Sequence, residues 1–179
     1  PIADLKAPGP SDDEIATILK AASRVPDHGK LAPWRFILYR GEARAKVGEL
    51  LAARAAEREG ELSDFRLEQE LTRFSRAPLV IGVVSVPKDH PKIPQWEMFL
   101  SGAAAAMNIV HAATALGYGA NWVSNWYSDD AEGRRITGLA QHERVVGFIH
   151  IGTCTTDVPE RPRPDPAALV TDWTGPAEG

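Results

Sequence analysis

The chain has 179 residues, of which 44% are hydrophobic and 25% charged, with a formal net charge of -4. That suits one domain able to bury its own core, and an acidic balance without a basic stripe argues against nucleic acid as a partner. The one cysteine, Cys154, excludes an internal disulfide framework and a Cys-rich zinc site and fits a reducing, cytoplasmic compartment. No apolar run of about 18 residues marks a membrane span, and no signal peptide is visible.

Ser11-Asp12-Asp13-Glu14 has the Ser-x-x-Glu form of a capping box, ahead of Ile15, Ile18, Leu19 and Ala22 at helical spacing. This predicts a helix from about Ser11 to Arg24. Val25 to Pro33 holds two prolines and a glycine and reads as an ordered loop. Trp34 to Arg40 reads as a strand. Glu42 to Arg58 and Leu62 to Arg76 read as two amphipathic helices broken at Gly60. Their mixed charges suit a solvated, ion-paired face. Leu79 to Val86, nearly all apolar and β-branched, predicts a central buried strand.

Pro94 is well placed to start a long helix over Gln95 to Leu116. Its small residues, Gly102 to Ala106, let another helix approach closely, in the core or across a dimer axis. Gly117 and Gly119 end it, and a short strand over Ala120 to Ser124, a short helix over Asp129 to Gly138 and an apolar strand over Val145 to Gly152 follow. The tail from Pro159 to Pro166 carries four prolines and is expected to be extended. It is too poor in apolar residues to fold on itself and is expected to wrap a partner subunit. The mixture predicts an α+β fold, a sheet flanked by helices, in a single domain over residues 1-179 with an arm at 159-179.

Two segments could carry chemistry. In the loop Arg24-Val25-Pro26-Asp27-His28-Gly29-Lys30, two cations and a histidine are pinned between prolines and could bind an anion or a polyhydroxyl chain. The alternative is Arg24 balancing a helix dipole, with His28 simply on the surface. Gly117-Tyr118-Gly119-Ala120-Asn121-Trp122-Val123-Ser124 offers glycines for close approach of a flat ligand and an indole to lie against it. A helix cap with core aromatics is equally consistent. Glu97, in the first turn of the long helix, reads as dipole-favoured and structural, His111 as a core or interface histidine, and Cys154 as packing. No metal-ligand spacing, nucleophile elbow or phosphate loop is present.

Arg24-Val25-Pro26-Asp27-His28 followed by Ala32-Pro33-Trp34-Arg35-Phe36 resembles the first conserved block of FMN-dependent nitroreductases, above all the minimal, YdjA-like branch. Arg76-Ala77-Pro78, Ile93-Pro94-Gln95-Trp96-Glu97, Gly117-Tyr118-Gly119, Val145 to Thr153, and Pro164-Asp165-Pro166 with Val170-Thr171-Asp172-Trp173 match further segments in the same order. The resemblance implies a central, mostly antiparallel sheet and a two-fold homodimer with FMN at the interface and the C-terminal arm exchanged. NADH or NADPH would pass a hydride through flavin N5 to a small electrophile, such as a nitroaromatic or a quinone, in ping-pong fashion.

By position, Arg24, His28 and Lys30 would bind the cofactor from the first loop. Trp122, Val123 and Ser124 would bind it from the short strand, with Ala112 and Gly117 near the nicotinamide nucleotide. No side chain need be catalytic beyond His28 as a proton donor. The segment 42-76 would be a mobile cover near the site, shaping substrate choice with Trp126 or Tyr127. Family members carry an Arg-Arg-Ser segment where this sequence begins at Pro1, so upstream residues are expected. Close relatives also have arginine where Val123 stands. Loss of both cations would weaken FMN binding on the order of a hundredfold, and the alternative function is a flavin- or ligand-binding dimer without turnover.

Overall fold

The computed structural model describes residues 4–177; the expectation for Pro1 lies outside them. Helix α1 (Asp12–Ala22) begins at the capping box: the Ser11 amide donates to the Glu14 carboxylate at 2.8 Å and the Glu14 amide to Ser11 Oγ at 3.3 Å. It stops two residues before Arg24, where the Arg24 amide turns back onto the Ala21 carbonyl.

Strand β2 (Trp34–Arg40), helix α2 (Ala43–Glu59), helix α3 (Asp64–Leu71), strand β3 (Leu79–Ser85) and helix α4 (Gln95–Ala115) follow, then strand β4 (Gly119–Val123), helix α5 (Ala131–Ile136) and strand β5 (Arg144–Cys154). Helix α3 is shorter than its apolar pattern predicts, because the chain bends after Leu71 to drop Phe74 into the core. A short strand, β1 (Leu5–Lys6), was not expected from the sequence. It pairs with the end of β5, Leu5 opposite Cys154.

Every pairing is antiparallel, in the order β4-β5-β3-β2, with β1 also on β5. β3 is buried at every position, as its unbroken apolar run predicts for a strand covered on both faces. Alternation sorts its side chains into two cores. Leu79, Ile81 and Val83 join Ile149 and Ile151 of β5 beneath α1 and α4. Val80 and Val84 join Phe148, Tyr39, Phe74 and Tyr127 beneath α2. Gly102 sets how close α4 lies to the sheet, since a Cβ there would meet Val146 at 3.0 Å.

This layering places the segment expected to be a cover. The segment 42-76 packs on the sheet face opposite α4 and is clamped there. Arg54 makes a bidentate pair with Asp130 at 3.0 Å, and buried Glu70 accepts from Arg66, Arg73 and the Trp126 indole. Within one chain it lies on the sheet face away from the Arg24–Lys30 loop. α4 is, among the described residues, the one helix long and apolar enough to cross a membrane, with a mean hydropathy of 1.3; here it is a layer of the fold. The tail is extended and exposed, apart from a 3-10 turn at Pro166–Leu169.

Candidate active site

The Arg24–Lys30 loop is built against one flank of α4. Asn108 donates to the carbonyls of Ala21 at 3.0 Å and Arg24 at 3.3 Å, Ser101 Oγ to the Pro26 carbonyl at 2.6 Å, and the Trp34 indole to Ser101 Oγ at 3.0 Å. Glu97 Oε2 lies 2.8 Å from His28 Nδ1. At about 100° per residue, Glu97, Ser101 and Asn108 fall within roughly 40° of one another on the helix, so a single polar stripe holds the whole loop. The sequence gives Glu97 only a structural, dipole-favoured role and does not single out Ser101 or Asn108, although polar side chains at that spacing in an Ala-rich helix are the available signal.

The loop backbone is strained and over-determined. Gly29 (φ 72°), Lys30 (φ 54°) and Ala32 (φ 44°) are all left-handed, a conformation that costs about 1–3 kcal/mol for a residue with a Cβ. The Asp27 carboxylate holds it by accepting from the amides of Leu31 at 3.0 Å and Ala32 at 2.8 Å, and Lys88 caps the Leu31 carbonyl. Arg24, His28 and Lys30 are exposed. Among the described residues, neither Arg24 nor Lys30 is in an ion pair. Beside them a cleft of about 300 Å³ is lined by Pro26, His28, Glu97, Leu100, Ser101 and Ala104.

Trp122, Val123 and Ser124 occupy the other flank of α4, at the sheet edge. The Trp122 indole lies across Gly147 and donates to the Val146 carbonyl at 3.3 Å; a Cβ at Gly147 would fall 1.9 Å from the indole nitrogen. Val123 packs against the aromatic core of the opposite face. Only its backbone is available on the α4 side, so a cation is absent from this flank at that position. Ala112 is half-buried against the core beneath α4. Gly117 is left-handed (φ 89°) with open space around it, as a helix end requires. Glu97 and Ala112 are about 22 Å apart along the axis, so Ala112 and Gly117 do not join His28 within one chain.

Between the two flanks runs the outer face of α4. Trp96 is 63% exposed, Leu100 56% and Met107 42%; His111, also exposed, continues the row and is not a core residue. The arm presents Leu169, Val170 and Trp173, the last 84% exposed.

A model of the nitroreductase family matches residues 5–153. The chain belongs to the nitroreductase family. Among its relatives is YdjA of Escherichia coli strain K12, which carries the provisional name NAD(P)H nitroreductase. It is 31% identical over 171 residues, 93% of this chain and 91% of YdjA. A relative of the same provisional name from Haemophilus influenzae is 36% identical over 150 residues, 83% of this chain and 80% of its own. A nitroreductase from Bacteroides fragilis, solved with bound FMN, has the same fold, with a TM-score of 0.67 at 20% identity, covering 96% of this chain and 92% of its own. The antiparallel α+β fold is that of this family.

Proposed function

We propose that this nitroreductase-family chain acts as a homodimer that binds FMN, takes reducing equivalents from NADH or NADPH and reduces a small electrophilic acceptor such as a nitroaromatic or a quinone. The observation that carries the reading is the pair of half-sites on opposite flanks of α4, separated by an exposed apolar stripe. Burying Trp96, Leu100 and Met107 against a second copy removes apolar surface from water and sets the flank of one chain beside that of its mate. The exposed arm supports the same pairing: Trp173 is 84% exposed in its own chain and would be buried on a partner. The assignment of residues 1-179 as one domain, with 159-179 as its exchanged arm, rests on the same features.

The donor set suits a flavin nucleotide. Arg24 and Lys30, in no ion pair among the described residues, supply cations for a phosphate, His28 offers a ring nitrogen to the ribityl or ring edge, and Trp122 presents a flat apolar surface. Ser124 contributes a hydroxyl, and the backbone at Val123, Ala112 and Gly117 permits close approach of cofactor or nucleotide. When bound, the flavin supplies the hydride chemistry, while the protein orients it and excludes water.

Val123 favours a second reading, flavin held without turnover, because it leaves one flank without a cation. Anaerobic titration of the FMN-saturated protein with NADH and NADPH separates the two. Bleaching of the flavin band and its recovery on adding a quinone is the expected result. Bound flavin that never bleaches supports the second reading, and protein that stays colourless in excess FMN overturns both.

A further inference from the structure

The reduction of a nitro group to a nitroso group consumes two electrons and two protons and releases water. A hydride carries both electrons but one proton, so the second proton must come from a donor beside the acceptor. His28 lines the cleft next to α4 and is the one histidine there. Its Nδ1 is held 2.8 Å from Glu97 Oε2. A carboxylate accepts and never donates, so this contact requires a proton on Nδ1 and leaves Nε2 as the nitrogen that gains or loses one. The partners on α4 are fixed in turn, since Ser101 holds the Pro26 carbonyl two residues before His28. Of the other charged groups of the loop and its neighbours, Asp27 is engaged by backbone amides and Lys88 by the Leu31 carbonyl, while Arg24 and Lys30 form no ion pair among the described residues.

Resting on the oxidoreductase reading, we propose that His28 donates the second proton to the acceptor and that Glu97 is its positioning residue. In the step, the Nε2–H bond of the imidazolium breaks and an O–H bond forms at the acceptor oxygen. The neutral imidazole keeps its Nδ1–H on Glu97, and solvent returns a proton to Nε2. A quinone oxygen takes the proton in the same way. Glu97 fixes the tautomer and orientation of the ring through Nδ1, a role the helix-dipole account of this residue does not contain.

The test has two independent arms. In flavin-free protein, nitrogen-15 NMR is expected to find His28 as the Nδ1–H form when neutral, and E97A is expected to populate both tautomers. A wild-type His28 protonated on Nε2 alone overturns the proposal. In FMN-loaded protein, the two half-reactions are measured separately by stopped flow. H28A, which also removes a proposed cofactor contact, is expected to lose about a hundredfold in acceptor reduction relative to its own rate of flavin reduction by NADH, restored by added imidazole in proportion to its concentration. E97Q is expected to lose about tenfold in the same half-reaction. Normal flavin reduction with unchanged acceptor reduction in E97Q and H28A overturns this proposal alone, whereas absence of flavin reduction in the wild type overturns the oxidoreductase reading instead.

Discussion

On the face covered by α2, α3 and α5, most polar and aromatic groups are satisfied by one another, Arg134 Nε excepted. On the face covered by α1 and α4, many point outward. Glu70 is fully buried yet accepts from two arginines and an indole. Burial alone would raise its carboxyl, but the hydrogen bonds from Arg73 and Arg66 leave it below the ordinary range. Around it Phe74 stands edge-on to Tyr39 at 4.9 Å and to Phe148 at 5.2 Å. Across the sheet, the segment from Arg24 to Ala32 holds three left-handed residues and two cations that form no ion pair among the described residues, and α4 exposes tryptophan, leucine and methionine. Both faces bury a core, but the face of α1 and α4 also carries a strained loop and outward apolar side chains, the usual condition of a surface awaiting a ligand or a partner.

The sharpest way to break this contrast is to empty the aromatic core. Phe74→Ala is expected to cost about 4 kcal/mol, read as a lower urea midpoint. A loss below about 1 kcal/mol would mean that the aromatic core is not what stabilises this face.

The next effect comes from pH. His150 is buried beside Phe74, and burial, with a smaller contribution from Arg76, pushes its pKa down to about 4. An unfolded histidine titrates near 6.5, so between these values the unfolded state binds more protons and stability rises with pH. Stability is therefore expected to be full above about pH 6.5 and to fall by about 3 kcal/mol as pH drops toward 4. His150→Leu should flatten that limb of the pH–stability curve, and an unchanged slope would remove His150 as its cause. At lower pH a second loss follows, because Arg35 and the Ala140 amide, working against burial, hold Glu143 down at about 2.

The smallest effect on folding belongs to the other face. Leu100→Glu is expected to change the stability of the individual chain by less than about 0.5 kcal/mol while converting dimers to monomers in sedimentation velocity. Unfolding comparable to that of Phe74→Ala would erase the distinction between the faces.

Much of the fold was legible because its signals are local. The capping box, the seven-residue run of β2 and the unbroken apolar run of β3 each specify an element from neighbouring residues. The cation-bearing loop could be picked out for the same reason, since prolines and a glycine bracket it. Strand β1 could not, because two residues form a strand only through the edge offered by β5. Helix α3 was overestimated because its pattern continues past Leu71, while the burial of Phe74 decides where it stops.

The sequence by itself determined the element order, the α+β class, the family blocks and the loop that carries Arg24, His28 and Lys30. These depend on periodicity, turn chemistry and residue order, which need no knowledge of distant neighbours. Only the tertiary structure decided that segment 42-76 is clamped to the far face, that Val123 turns away from α4 and that Glu97 meets His28. Each is a contact between residues far apart in the chain. A sheet assigns faces by alternation and a helix by its turn, and neither assignment has a physical meaning until the layers are stacked.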